Sequence, residues 1–179
     1  IREFESSGQE FVFGYEESYG YLAGTFVRDK DAVIASMLIC EMAAYCKKKG
    51  MTLYGRLMEL YRKYGYYMES LSSIAFEGKG GMEEMLKLMN TLRNNPPGEI
   101  NGIKVKEIRD YMDYNGPIRL PRENVLQFIL EDKSWFCIRP SGTEPKLKIY
   151  FSVTGSSCED AEVAMAGLKA AVGLCLKVK

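Results

Sequence analysis

At 179 residues, with 46% hydrophobic and 27% charged side chains, the chain has a globular composition and is long enough for one ordinary domain or two small ones. Its 24 basic and 24 acidic residues cancel, so the basic excess that drives nucleic-acid or anionic-membrane binding is missing, and neither partner is expected. There is no histidine, which excludes a Cys–His nucleophile pair and removes the commonest general base and zinc ligand.

No apolar run reaches the roughly 20 residues needed to cross a bilayer. The longest, Ala32 to Cys46, is broken by Ser36 and Glu41. Ile1-Arg2-Glu3 is neither a start nor a leader, and the opening without Met suits an excised or processed piece. Five cysteines, an odd number with no C-x-x-C spacing, read as reduced core or half-buried thiols of a cytoplasmic protein.

Along the chain, Phe11-Val12-Phe13 reads as a short buried strand feeding a glycine-punctuated loop, Tyr15 to Gly24. A long helix follows. Asp29 is its expected N-cap, and Asp31 suits the positive end of the helix dipole. Apolar residues recur at three and four from Ala32 to Cys46, and Lys47-Lys48-Lys49-Gly50 closes the helix with cations and a glycine. Thr52 caps a second helix, with Leu53, Leu57, Leu60, Tyr61 and Tyr64 as its apolar face and Gly65 at its end.

From Tyr66 to Phe76 the pattern is that of a strand with imperfect alternation. Met82, Met85, Leu86, Met89 and Leu92 space as a helix, stopped at Asn94-Asn95-Pro96-Pro97-Gly98. Ile103 and Val105 mark a half-exposed strand, and Asn115-Gly116-Pro117 a turn. Leu126, Phe128 and Leu130 form the drier face of a strand that Glu131 to Ser134 turns into Trp135–Ile138. Leu147, Ile149, Phe151 and Val153 give the clearest strand. Ser157 with Asp160 is a capping box for a last helix, from Cys158 to about Leu174.

The expected fold class is therefore α/β plus α+β. Residues 1–65 read as the tail of an α/β domain, since one strand cannot make a sheet. Residues 66–179 read as a small α+β domain, with a mainly antiparallel sheet packed by helices on one face.

Two segments carry candidate chemistry. In Arg139-Pro140-Ser141-Gly142-Thr143-Glu144-Pro145, between two strands, Arg139 offers a bidentate guanidinium and Ser141 and Thr143 offer hydroxyls. Gly142 lets amides turn inward around an oxyanion. By composition alone the segment fits a phosphate site and a plain polar hairpin equally well. In Gly14-Tyr15-Glu16-Glu17-Ser18-Tyr19-Gly20, Glu16 can accept from two vicinal hydroxyls and Ser18 can donate or accept, as a pyranose requires. Taken alone, that segment reads as an exposed acidic loop.

Arg139 to Pro145, followed by Lys-Leu-Lys-Ile-Tyr-Phe, resembles the phosphate-binding loop in the last domain of the α-D-phosphohexomutase family. Gly14 to Gly20 resembles the sugar-recognition loop of that family's third domain, and the order and spacing of the two loops match. Val27 to Asp31 is similar to the phosphoglucomutase branch, which makes Arg28 and Lys30 weaker candidates for ligand contact; Asp29 and Asp31 are explained by the helix start.

The resemblance covers the end of domain three, three-layered in that family, and all of domain four. It implies an intramolecular phosphotransferase that interconverts hexose 1-phosphate and hexose 6-phosphate through a phosphoserine and a hexose 1,6-bisphosphate intermediate. It also implies Mg2+ as cofactor and a small sugar phosphate as partner. The family's serine segment and Asp-Gly-Asp metal loop do not occur here, so catalytic and metal residues are expected in missing N-terminal domains. The isolated piece is then expected to be inactive. Glu17 stands where phosphoglucosamine mutases typically place Gln; glucose, mannose and pentose substrates stay open. The competing reading is a stand-alone, non-catalytic phosphate-binding module.

Overall fold

The computed structural model describes residues 1–16, 19–113 and 121–176, in two compact units, Ile1–Leu60 and Tyr61–Lys179. The expected turn at Asn115-Gly116-Pro117 lies outside the described residues.

The first unit opens with α1 (Arg2–Ser7), which ends on Gly8 in the left-handed region. The strands β1 (Phe13–Tyr15) and β2 (Tyr21–Ala23) then pair antiparallel, Gly14 opposite Leu22. The expected buried strand at Phe11–Phe13 is not found. The strand starts two residues later and lies open, with Val12 69% and Phe13 50% exposed. A two-stranded ribbon has no further strand to cover it, so its aromatic residues cover one another: the rings of Phe13 and Tyr21 stack at 6.2 Å.

Helix α2 (Ala32–Lys48) is capped by Asp31, not Asp29. Asp31 is extended, and its carboxylate accepts from the amides of Val33 at 2.9 Å and Ile34 at 3.1 Å. The lysines do fall in the last turn, and Gly50 takes φ 71° just beyond. Thr52 caps α3 (Leu53–Tyr64) by accepting from the Gly55 amide at 2.9 Å. Cys46 is the one buried residue of α2, and Leu57 and Leu60 of α3 stay exposed, so both helices keep much of their apolar surface open.

The second unit is built on β3 (Tyr66–Ala75), α4 (Gly81–Asn94), β4 (Glu99–Ile100), β5 (Ile103–Asp110), β6 (Leu126–Leu130), β7 (Trp135–Pro140), β8 (Lys146–Gly155) and α5 (Cys158–Cys175). Its six strands form one antiparallel sheet in the order β3-β8-β7-β6-β5-β4. This is the expected small α+β arrangement. Phe128, Phe136 and Phe151 lie in register across β6, β7 and β8, which puts them on one face. There they pack with Met85, Met89 and Leu92 of α4 and Met165, Leu168 and Val172 of α5. The rings of Phe128 and Phe136 stack at 4.7 Å.

Local chemistry sets the connections. Asn101 and Gly102 both take positive φ, the primed turn that suits a two-residue hairpin between β4 and β5. Asp132 accepts from the amide and hydroxyl of Ser134 in the β6–β7 turn. Ser157 accepts from the Asp160 amide, and Asp160 reaches back to Ser156, a capping box shifted by one residue. In α4 Leu88 joins Met85, Met89 and Leu92 in the core, whereas Leu86 faces out. Among the described residues no helix is long and apolar enough to cross a membrane.

Candidate functional site

Arg139 and Pro140 are the last residues of β7 rather than part of a loop; the loop that joins β7 to β8 is residues 141–145, and it is held at both ends. The Ser141 amide donates to the Lys146 carbonyl at 2.8 Å, and the Phe76 amide, beyond β3, donates to the Pro145 carbonyl at 2.8 Å. Both neighbouring strands of β8 thus clamp the loop, which limits the conformational entropy lost on binding a ligand.

Inside the loop, Ser141 has a local task. Its Oγ accepts from the amides of Thr143 at 3.4 Å and Glu144 at 3.3 Å, long bonds that curl the chain into a serine turn. The Ser141 amide is committed to the ladder, whereas the Gly142 amide has no intramolecular partner among the described residues. Gly142 and Thr143 are exposed, and no atom stands within 4 Å of the place a Gly142 Cβ would take. The loop surface at Gly142 is open, with the amides of Thr143 and Glu144 lightly tied.

Arg139 lies on the sheet face away from the helices, because its neighbours Ile138 and Pro140 alternate with it and Ile138 is core. It is exposed, and no carboxylate pairs with it among the described residues. Its cross-strand partner is Lys148, also exposed. Sequence reading did not single out Lys148; the signal was there in the alternation of Lys146 and Lys148 with buried Leu147 and Ile149. Cys137 shares the Arg139 face. Burial pushes its thiol up to about 11, against the pull of the Arg139 charge, so it stays protonated at neutral pH and is no nucleophile.

In the first unit, Glu16 opens the loop between β1 and β2, closed by its amide donating to the Gly20 carbonyl at 2.8 Å. Lys30 lies across Gly20 and puts its ammonium 3.3 Å from Glu16 Oε1 and 2.9 Å from Asp29 Oδ1. The ion pairs with Asp29 and then Glu16 raise the Lys30 pKa. Ser18 lies outside the described residues. Arg28 turns to Glu5 at 2.7 Å instead of to this group.

Two cavities meet at these side chains. One, of about 910 Å3, runs between the ribbon and α2 and is walled by Phe13, Leu38, Ile39 and Met42 together with Glu16 and Lys30. The other, of about 210 Å3, is walled by Glu16, Gly20, Arg28, Asp29 and Lys30. Acceptor, ammonium and apolar wall together are what a sugar ring uses. The structure therefore brings Glu16 and Lys30 together, and Arg139, Ser141, Gly142 and Thr143 together.

Two family models match successive parts of the chain. Residues 2–64 match the family model of phosphoglucomutase/phosphomannomutase, alpha/beta/alpha domain III. Residues 88–169 match that of the phosphoglucomutase/phosphomannomutase C-terminal domain. The chain belongs to the phosphoglucomutase/phosphomannomutase family. It is 40% identical over 168 residues to a phosphoglucomutase of Staphylococcus haemolyticus, and 40% identical over 169 residues to one of Staphylococcus aureus. Each alignment covers 89% of this chain and 30% of the relative, so the chain spans about 30% of the length of the curated relatives it matches.

The fold likewise matches the open-form crystal structure of parafusin, a phosphoglucomutase from Paramecium. The TM-score is 0.65 at 21% identity, over 96% of this chain and 30% of that one. Consecutive matches to domain III and the C-terminal domain favour a mutase portion over a stand-alone module.

The Mg2+ implied by the family finds no fit in these residues. Asp29 is paired with Lys30, Asp31 caps α2, and no group of three or more Cys, Asp or Glu converges among the described residues.

Proposed function

We propose that this chain is the substrate-holding portion of a phosphohexomutase, an intramolecular phosphotransferase that interconverts hexose 1-phosphate and hexose 6-phosphate. In this reading residues 1–65 belong to the sugar-binding domain and residues 66–179 are the phosphate-binding domain. Glucose and mannose phosphates are the proposed substrates, handled in the cytoplasm. The catalytic phosphoserine and the Mg2+ site lie outside these residues, so the isolated chain turns nothing over.

Arg139, the amide of Gly142 and the hydroxyl of Thr143 take the distal phosphate, with Ser141 shaping the loop around it. Glu16 and Ser18 accept and donate to the ring hydroxyls, and Lys30 keeps the Glu16 carboxylate aimed into the cavity. A mutase must hold the same sugar in two orientations through its bisphosphate intermediate. A grip on phosphate and ring, remote from the reacting phosphoryl group, supplies that positioning. The observation that carries the reading is the exposed Arg139, unpaired among the described residues, beside a clamped glycine loop.

Calorimetric titration of the 179-residue chain with glucose 1-phosphate, mannose 1-phosphate and ribose 1-phosphate tests it. Hexose phosphates bind better than the pentose phosphate, and Arg139→Ala weakens them by roughly tenfold or more, as for loss of a charge-assisted contact. Equal affinity in Arg139→Ala and the parent chain contradicts the assignment.

A further inference from the structure

The six-stranded sheet has two edges, and they are built differently. One edge is blunted. β4 is two residues long, and β5 beside it carries Lys104 and Lys106 and a register shift between Val105 and Glu107. Short strands, lysines and bulges are the usual devices against pairing with another chain. The other edge, β3, has none of them. It runs for 10 residues, about 33 Å, without lysine or proline, and its register against β8 is unbroken from Tyr66 to Ala75.

The backbone of β3 alternates. The Phe76 amide donates to the Pro145 carbonyl in the register that sets Ala75 against Lys146. Phe76 is thus a hydrogen-bonded position, and so, two by two along the strand, are Ile74, Ser72, Ser70, Met68 and Tyr66. Tyr67, Glu69, Leu71, Ser73 and Ala75 aim their amides and carbonyls the other way, off the sheet. There these groups have no backbone partner among the described residues. The side chains of the same residues stand on the helix-free face, with Tyr67 55% and Leu71 52% exposed.

Such an edge accepts a strand, and the side chains of β3 select one. Two copies of β3, antiparallel about a two-fold axis at Leu71, set every outward amide opposite an outward carbonyl. Leu71 then faces the partner's Leu71, Tyr67 faces the partner's Ala75, and Glu69 faces the partner's Ser73. On the helix side, Tyr66 faces the partner's Phe76, Met68 the partner's Ile74, and Ser70 the partner's Ser72. Apolar residues meet apolar residues, serines meet serines, and the two glutamates stay apart. Tyr66, Met68, Ile74 and Phe76, which are only partly buried against the core, gain cover. Other registers do worse. An axis at Ser70 or Ser72 leaves Ala75 or Tyr67 without a strand residue opposite, and an axis at Glu69 sets the carboxylates against each other.

We propose that the free edge of β3 binds a second copy of this chain, joining two six-stranded sheets into one continuous antiparallel sheet across a two-fold axis at Leu71. The contact is isologous, so it closes at the dimer. It stands independently of the sugar and phosphate readings.

The test is sedimentation velocity of the 179-residue chain from low micromolar to near-millimolar concentration, with residue-resolved amide hydrogen exchange at both ends of that range. A dimer forms as concentration rises. The amides of Tyr67, Glu69, Leu71, Ser73 and Ala75 then slow by roughly tenfold or more, whereas those of Met68, Ser70, Ser72 and Ile74, already bonded to β8, change less. Leu71→Lys sets two ammonium groups together on the axis. It raises the dimer Kd by roughly tenfold or more and leaves the melting temperature of the dilute monomer nearly unchanged. The control Leu86→Lys, at an exposed leucine of α4, leaves the dimer Kd unchanged. A monomer across the whole range overturns the proposal. So does a dimer whose outward β3 amides exchange as fast as in the monomer, or one that Leu86→Lys weakens as much as Leu71→Lys does, since either places the contact elsewhere. Should Leu71→Lys fail to fold, the alternating exchange pattern of the parent chain decides alone.

Discussion

The ammonium of Lys30 reaches the Glu16 carboxylate, 3.3 Å away, by lying over the bare backbone of Gly20. A Cβ at Gly20 would sit 2.3 Å from Lys30 Cδ and 3.0 Å from Glu16 Oε2. Gly20 is buried at the foot of the loop, so the added methyl cannot escape to solvent. The lysine stem is flexible and gives way instead. Gly20→Ala is thus expected to leave the melting temperature nearly unchanged while breaking the Lys30–Glu16 pair. Glucose 1-phosphate titration checks it: a severalfold weaker Kd with intact folding is expected.

Two other glycines separate close packing from conformational cost. At Gly81 a Cβ would lie 2.5 Å from the Phe76 carbonyl oxygen, which is backbone and cannot swing aside. Gly81→Ala is expected to destabilise the second unit by about 1–3 kcal/mol, the usual cost of overpacking. Gly173, inside α5, has nothing within 4 Å of its added Cβ. Gly173→Ala is expected to stabilise by about 0.5–1 kcal/mol through helix propensity. Urea denaturation of both variants checks the opposite signs.

The Arg93–Asp110 pair ties α4 to the end of β5, at 2.7 Å, and Arg93 also donates to Asn124 at 2.9 Å. Burial pushes the Asp110 carboxyl up, but hydrogen bonds from Arg93 and the Met112 amide, with the Arg93 charge, outweigh it and hold the carboxyl below its usual range. A carboxyl depressed in the fold contributes stability above its unfolded pKa, about 3.9, and loses it as pH falls through the folded value. Unfolding free energy measured from pH 7 to pH 2 is expected to decline on the acid side. Asp110→Asn is expected to cost about 1–2 kcal/mol at pH 7 and to flatten that decline.

Cysteine chemistry gives a further check. Cys40 is exposed, whereas Cys137 is half-buried with its thiol at about 11. At pH 8, mass-resolved alkylation with iodoacetamide is expected to label Cys40 well before Cys137. Labelling of Cys137 first would contradict the packing of the helix-free face.

Much of the second unit was legible because its signals are local. Alternation in Leu126 to Leu130 and in Lys146 to Val153 gave strands whose buried faces are the expected ones, although β8 runs on through Thr154 and Gly155. The Ser157–Asp160 box and the Lys49-Gly50 end gave helix limits. The imperfect alternation of β3 comes from Ser70 and Ser72 on the inward side and Leu71 outward, so its residues obscure a regular burial pattern. Short elements escaped: β2 is three apolar residues between Gly20 and Gly24, and β4 is two residues before an Asn-Gly turn.

The cap of α2 was misplaced because Asp29 and Asp31 are equally good by type. Asp29 instead lies against Lys30, and the choice is made by that contact. The candidate site was legible where a motif is contiguous, as from Arg139 to Thr143. The placement of Lys148 opposite Arg139 was not, because it exists only in the register of two strands. The role of Gly20 was hidden likewise, since it depends on a lysine ten residues later folding back over it.

The most direct measurement is a two-dimensional amide spectrum of the chain titrated with glucose 1-phosphate. The account predicts saturable shifts greatest at Gly142 and Thr143, with the Arg139 side-chain Nε following the same binding curve, and their loss in Arg139→Ala. Shifts confined to residues outside the β7–β8 loop, or none at millimolar ligand, would contradict it.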